Sequence, residues 1–351
     1  MLPKSRKRAL VLSGGGGRGA FHVGALKFLQ EHEWFPDIVV GTSIGAVNGA
    51  AIASGHDARS LWSLWKRLRT ADVQEPNIKG LQDGYLLDTS PLAKTLEREG
   101  WLDTARINSE DAAVHLRITA TEVDTGKLQV FGNSPDMRSK GATQERIEIK
   151  HIISSCSIPL VYPATKMNKH MYWDGATVSN TPLSAAIDAG AEEIVVVLMT
   201  PWGDESEAVK MPESLLEAAG LALDWALLGS FRSDLKMFYQ VNELVRMQAE
   251  NIRLRTMIAE LYSRMGDTSA AEQYADRNHD GIPDIFEKQL RDLPNPIIIA
   301  PEQPIPALRI VSYTPDGHED MYQQGYKAAK AAWRGAGRKV EGEPRPPRQQ
   351  K

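Results

Sequence analysis

Cysteine is nearly absent from this chain of 351 residues. Cys156 stands alone, which excludes an intramolecular disulfide and leans toward a reducing compartment, the cytoplasm. Charge of one sign is scarcely in excess. The formal net charge of −4 implies no polyanionic partner, so nucleic acid is not expected. Long apolar runs are missing too. No uncharged apolar stretch reaches the roughly 18 residues that a spanning helix needs. The run Ala9-Leu10-Val11-Leu12 behind the basic Lys4, Arg6, Lys7 and Arg8 is cut by glycines, too short for a signal-peptide core. The expectation is a soluble chain or one resting on a membrane surface. What remains is ordinary globular composition, 42% hydrophobic and 25% charged, enough for one large domain or two small ones.

The most informative stretch is Gly41-Thr42-Ser43-Ile44-Gly45. It follows the apolar Ile38-Val39-Val40, which reads as a buried strand. It precedes a run of small residues from Ile44 to Ala53, which reads as a buried helix ending near Gly55. Strand, Gly-x-Ser-x-Gly and helix is the form of a nucleophile elbow, where a sharp turn exposes a serine and two glycines let strand and helix approach. Taken alone, the pentapeptide also fits a plain strand-to-helix turn with a serine N-cap.

Upstream, the strand Ala9–Leu12 runs into Ser13-Gly14-Gly15-Gly16-Gly17-Arg18-Gly19 and then a helix. Backbone N–H groups of such a loop converge on one spot and suit an anion. Gly14-x-Gly16-x-x-Gly19 matches a dinucleotide fingerprint, but that fingerprint wants an acid at the end of the second strand. Here the second strand ends in Val40-Gly41-Thr42-Ser43, and Asp37 stands at its beginning. An oxyanion hole beside Ser43 is the better reading, because parallel neighbouring strands bring both loops to one sheet edge. Arg18 either reinforces that hole or pairs elsewhere to hold the loop, and the second role is favoured.

The rest of the chain continues an alternation of strands and helices. Residues 57–75 are predicted helical, with Lys66, Arg67 and Arg69 on a solvated side. A helix starts at Asp88-Thr89-Ser90-Pro91. Residues 114–121 and 128–131 form a hairpin around Thr125-Gly126. Residues 147–157 form a buried helix holding Cys156, read as a core residue rather than a reactive thiol. Residues 169–173 form a strand that delivers Asp174-Gly175-Ala176. Asn180-Thr181-Pro182 opens a helix to about Gly190, and residues 194–199 form a buried strand. Residues 203–275 break the rhythm. A strongly apolar stretch from Leu215 to Leu228 reads as a buried helix, with a lid or interfacial helix as the alternative. A charged amphipathic helix follows from Val241 to Met265. Late strands at 297–299 and 308–311 and a helix from Met321 to Trp333 complete the chain, before a basic, Pro- and Gly-rich tail expected to be disordered.

A serine nucleophile needs a base. Among the eight histidines, the late candidates His170, His279 and His318 are not placed after a strand in a short loop, and each reads as a surface histidine. Asp174 is better placed. It ends a strand, and Gly175-Ala176 allows a tight turn. A desolvated carboxylate there is a strong enough base to take the serine proton. Its alternative is an Asx-turn residue.

These stretches, Gly14-Gly15-Gly16-Gly17-Arg18-Gly19, Gly41-Thr42-Ser43-Ile44-Gly45 and Asp174-Gly175-Ala176, resemble in order the three signatures of the patatin-like phospholipases. Ile118-Thr119-Ala120-Thr121 with Thr125-Gly126, Ser154-Ser155-Cys156-Ser157-Ile158-Pro159 and the region of Gly325-Tyr326 resemble the bacterial branch. The resemblance covers residues 8–200, and 296–333 more loosely. It implies a three-layer α/β/α fold on a mostly parallel central sheet, and hydrolysis of lipid acyl esters without a catalytic cofactor. It further implies Ser43 as nucleophile, Asp174 as its only partner, and Gly14, Gly15, Gly16 and Arg18 as the oxyanion-hole motif. Lipid or phospholipid would be the substrate, with peripheral membrane contact open. The expected divisions are a catalytic core at 8–202, a helical insertion or lid at 203–295, a return to the core at 296–333 and a tail at 334–351. A short-chain carboxylesterase, or a non-catalytic lipid- or nucleotide-binding module on the same scaffold, are the alternatives.

One further motif is independent. Asp276-Arg277-Asn278-His279-Asp280-Gly281-Ile282-Pro283-Asp284-Ile285-Phe286-Glu287 resembles an EF-hand-type loop. Asp276, Asn278, Asp280, Asp284 and Glu287 stand at oxygen-ligand positions, Ile282 offers its carbonyl, and Gly281 sits where the sharp turn is needed. Pro283 departs from the paired EF-hand and points to an unpaired loop holding a structural Ca²⁺. The alternative is a polar turn that binds nothing.

Overall fold

The computed structural model describes residues 6–98, 100–134, 142–203, 211–213, 215–266 and 292–340. The calcium-loop motif at 276–287 and the tail from 341 lie outside the described residues. Two compact units are present: residues 1–232 with 295–351, and residues 233–294.

The larger unit is built on a mostly parallel central sheet with helices on both sides, the expected α/β class. Its strands are β1 (Arg8–Leu12), β2 (Ile38–Thr42), β3 (His115–Glu122), β4 (Lys127–Gly132), β5 (Ala142–Gln144), β6 (Thr165–Met167), β7 (His170–Asp174), β8 (Glu193–Val197) and β9 (Ile297–Ile299). The order along the sheet is β9-β8-β1-β2-β3-β4-β5. The first four neighbours pair in parallel, and β3 with β4 is the antiparallel hairpin expected around Gly126. Burial explains the sequences of the central strands. Every residue of β2 and β8 is buried, so these strands carry unbroken Val and Ile rather than an alternation.

The longer helices are α1 (Ala20–Glu31), α2 (Ile44–Ala53), α3 (Ala58–Trp65), α4 (Ser90–Glu97), α5 (Ile149–Ser155), α6 (Leu183–Asp188), α7 (Leu215–Arg264) and α8 (Pro315–Gly335). All ten residues of α2 are buried, which accounts for its Ala and Gly content. Helices α1 and α8 cross with their backbones touching. A Cβ on Gly24 would lie 1.9 Å from the Tyr322 carbonyl oxygen, and one on Gly325 would lie 2.0 Å from that of Phe21. Trp62 stacks on Tyr322 beside this crossing, with ring centroids 4.2 Å apart.

Several expectations need correction. The helix expected over 57–75 is broken: α3 ends at Trp65 and a separate turn of helix spans Thr70–Val73. Residues 308–311 form no strand; Ala307–Ile310 is a 3₁₀ turn packed against the Gly-rich loop, where a Cβ on Gly16 would meet the Ile310 carbonyl at 1.9 Å. Helix α8 begins at Pro315, six residues before the expected start, because Thr314 caps it by accepting from the Gly317 N–H. The two helices expected between 215 and 265 are one continuous helix, α7. No helix among the described residues is long and apolar enough to cross a membrane.

The smaller unit contains the part of α7 from Ser233 onward. Leu235, Phe238, Asn242 and Val245 are its buried face. Asn242 donates from Nδ2 to the Leu293 carbonyl at 2.8 Å, and Arg246 pairs with Asp292 at 2.7 Å.

Candidate active site

Ser43 occupies the turn between β2 and α2 with φ 56° and ψ −127°, in the left-handed half of backbone space that a residue with a side chain rarely enters. The two glycines flanking it make this turn feasible. A Cβ on Gly41 would lie 2.3 Å from the Gly45 carbonyl oxygen, and one on Gly45 would lie 2.2 Å from the Leu12 carbonyl. No side chain larger than hydrogen fits either place. The Ser43 N–H donates to Ser155 Oγ at 2.8 Å. Ser43 therefore does not cap α2 with its side chain, and the plain N-cap alternative falls away.

Asp174 ends β7 and is 2% exposed. The register of β3 explains how it reaches Ser43. Strand β2 runs parallel to β3 as far as Thr42 opposite Thr119, and β7 runs antiparallel to β3 as far as Asp174 opposite Ala120. The other edge of β3 is taken by β4. Hence β2 and β7 share one edge of β3 and end head to head, with Ser43 directly after one and Asp174 closing the other. The Ser43 side chain stands beside the Asp174 carboxyl and favours its charged form.

Supporting contacts fix this junction. Asp174 Oδ1 accepts from the Ala176 N–H at 2.8 Å, so the Asx-turn feature is present alongside the serine contact. Its backbone carbonyl accepts from Thr121 Oγ1 at 2.9 Å, and its N–H donates to the Ser157 carbonyl at 2.8 Å. The hydroxyls of Thr42 and Thr119 hydrogen-bond at 2.7 Å. A Cβ on Gly175 would lie 2.5 Å from Thr119 Oγ1, which explains glycine there. Burial pushes the Asp174 carboxyl up to about 7, and the neighbouring Ser43 side chain and the Ala176 N–H only partly offset that rise.

The Gly-rich loop lies against the same spot. A Cβ on Gly14 would be 3.0 Å from Ser43 Cβ and 3.7 Å from Ala176 Cβ. The Gly14 N–H, one of the expected oxyanion donors, donates instead to Asn180 Oδ1 at 2.8 Å. Among the described residues, neither the Gly15 nor the Gly16 N–H has a hydrogen-bond acceptor. Arg18 is buried and engaged by neighbouring groups, in line with the loop-holding role. Gly19 lies against Ile44 and Trp65.

Among the described residues, no histidine hydrogen-bonds Ser43 or Asp174. His170 is half exposed and pairs with Glu122 at 2.9 Å. His318 is buried, contrary to the surface expectation. Its Nδ1 bonds the Trp65 carbonyl at 2.9 Å, and burial pulls it down to about 4. His279 lies outside the described residues. Cys156 is buried, and burial raises its thiol well above the usual range, so it is no thiolate nucleophile. Ser155, Thr119, Thr121 and Asn180 hold the site together without having been singled out from the sequence. Their signal was faint: three lie in stretches quoted only for resemblance, and Asn180 only as a helix start.

A strained serine at a strand-to-helix elbow, a buried carboxylate beside it and a glycine loop next to the serine make up the candidate site. Residues 10–187, half of the chain, match the family model described as patatin-like phospholipase, and the chain belongs to that family. It is 25% identical to patatin-like phospholipase domain-containing protein 6 of Homo sapiens over 240 residues, covering 65% of this chain and 16% of that protein. It is also 25% identical to lysophospholipase NTE1 of Eremothecium gossypii over 201 residues, 54% of this chain and 12% of that protein. The chain thus spans less than a fifth of the length of these curated relatives. Among solved structures, VipD from Legionella pneumophila superposes over 94% of this chain and 67% of its own, with a TM-score of 0.44 and 13% identity.

Proposed function

We propose that this protein hydrolyses the carboxylic esters of lipids, as a phospholipase A or lysophospholipase, with Ser43 and Asp174 as a catalytic dyad. The observation that carries the reading is the buried Asp174 carboxyl beside the side chain of a serine held at φ 56°. Ser43 Oγ attacks the ester carbonyl carbon while its proton passes to Asp174. The carbonyl oxygen becomes an oxyanion and takes hydrogen bonds from the Gly15 and Gly16 N–H groups. The C–O bond to the leaving alcohol then breaks, and Asp174 returns the proton to that alcohol. Water next attacks the acyl-serine, again giving its proton to Asp174. The fatty acid leaves as Ser43 regains a proton. Burial at about 7 makes Asp174 a far stronger base than an ordinary carboxylate, which is why no histidine is needed.

The relatives named as lysophospholipase and patatin-like phospholipase support lipid as the substrate class. The calcium loop at 276–287 is proposed as a structural clamp and takes no step in this chemistry. The test is fatty-acid release from phospholipid vesicles by the wild type, Ser43→Ala and Asp174→Asn. A fall on the order of 10⁴ in kcat for each variant, with unchanged circular dichroism, is expected. Wild-type turnover by either variant would end the dyad assignment. Activity only on short-chain esters would move the substrate class to soluble carboxylic esters.

A further inference from the structure

Helix α7 carries a second apolar face within the smaller unit, and it is exposed. Met237, Leu244, Met247, Leu254 and Leu261 are each more than half exposed, and Ile258 is 46% exposed. With Gln240, Asn251 and Met265 they recur at alternating intervals of three and four residues from 237 to 265. This face lies opposite the buried one. Leu244, Met247, Asn251 and Leu254 each follow Leu235, Phe238, Asn242 and Val245 by two and a half helical turns. The buried face has its partner within the chain. The second is a heptad seam about 42 Å long, with no partner among the described residues.

The seam has the details of a two-stranded pairing. Met237, Leu244, Asn251, Ile258 and Met265 fall at the a positions, and Gln240, Met247, Leu254 and Leu261 at the d positions. Asn251 sits at the central a position, where one asparagine fixes register and strand number. Its Oδ1 accepts from Arg255 Nε one turn on, at 2.8 Å. Glu250 stands at g and Arg255 at the following e, the two positions that meet across a parallel pair.

We propose that this face is a homodimer interface. Two copies of the chain pair through residues 237–265 as a parallel two-stranded coiled coil, with Asn251 of each chain facing the other. An antiparallel arrangement sets a against d and leaves Asn251 against Met247 or Leu254, an amide buried without a polar partner. A lipid surface is the other occupant for an exposed apolar helix. It asks for an unbroken apolar stripe at 3.6-residue spacing. Asn251 and Gln240 would lie at the deepest line of that stripe, and the strict three-four alternation would have no purpose. The inference stands apart from the hydrolase reading.

Sedimentation equilibrium on the full chain at micromolar concentration is the test. The wild type is expected at twice the 38.8 kDa of one chain. Leu254→Glu with Ile258→Glu is expected at the mass of one chain, with unchanged far-ultraviolet circular dichroism. Leu261→Cys is expected to form an interchain disulfide under mild oxidation, since d positions of a parallel pair are in register. Cys156 is buried and does not compete. A wild type at the mass of one chain, or a double variant still at twice that mass, overturns the proposal. A dimer without the Leu261→Cys crosslink overturns its parallel register. If the wild type is monomeric and floats with phosphatidylglycerol vesicles, and the double variant does not float, the face belongs to lipid instead.

Discussion

Ser43 and Asp174 meet because two strands end head to head on one edge of a third. Thr42 pairs with Thr119 and Asp174 with Ala120, neighbouring residues of β3. The serine and the carboxylate therefore share a rigid strand as their common ruler, although they lie far apart in sequence. Each prediction below concerns that junction or the groups that hold it, apart from the last.

The hydrolytic rate depends on the ionised form of Asp174. Its carboxyl is raised by burial to about 7. The log of kcat/KM is therefore expected to rise with unit slope below about pH 7 and to level above it. A profile flat from pH 5 to pH 9, measured on a soluble ester so that vesicle charge does not intrude, would show that another group is the base.

Stability carries the opposite signature. Because the folded state holds the Asp174 proton more tightly than the unfolded chain, it binds more protons between about pH 4 and pH 7. This group's contribution is thus lost as pH rises through that window and stays lost above it. Asp174→Asn removes the titration. The melting temperature of the variant relative to wild type is expected to increase from pH 5 to pH 8. A constant or falling difference would mean that Asp174 ionises at an ordinary pH.

Asn180 tests the oxyanion loop. It accepts the Gly14 N–H at 2.8 Å. Asn180→Asp keeps an acceptor of the same shape but places a carboxylate beside the developing oxyanion. A drop of about 100- to 1,000-fold in kcat with little change in KM is expected, comparable to losing one oxyanion donor. An unchanged kcat would place the negative charge of the transition state elsewhere.

The elbow glycines admit no side chain. Gly45→Ala puts a Cβ 2.2 Å from the Leu12 carbonyl oxygen. Overpacking of this kind costs about 1–3 kcal/mol. Urea denaturation should show the loss, and the displaced turn should lower activity further. A variant as stable and active as wild type would mean that the elbow can relax.

The calcium loop at 276–287 makes a prediction of its own. A chelator is expected to lower the melting temperature and added Ca²⁺ to restore it, because a ligand bound only by the folded state stabilises it by mass action. Titration calorimetry showing no Ca²⁺ uptake would reduce Asp276, Asp280, Asp284 and Glu287 to a polar turn.

Sequence alone carried much of the core. The runs Ile38-Val39-Val40 and Ile194–Val197 marked β2 and β8 as doubly covered strands, and Gly-x-Ser-x-Gly marked the elbow, where Gly41 answers to the Gly45 carbonyl one turn away. Local pattern was a poor guide where long-range packing decided. The segment 308–311 looks like a strand but has no strand beside it, and it is turned into a 3₁₀ bend by contact with the Gly-rich loop. His318 looks like a surface residue in a polar run, yet it lies buried against Trp65.

What the sequence determined by itself was chemistry: which serine sits on a strained turn, which carboxylate closes a strand, and where glycine must stand. Those properties reside in a few adjacent residues. What only the tertiary structure decided was their meeting and its consequences. The register of β2 and β7 on β3 brings the pair together. Burial by the surrounding elements raises the Asp174 carboxyl to about 7. Asn180, distant in the chain, claims the Gly14 N–H. Such effects depend on distances through space, and no local pattern of residues encodes a distance to a strand far along the chain.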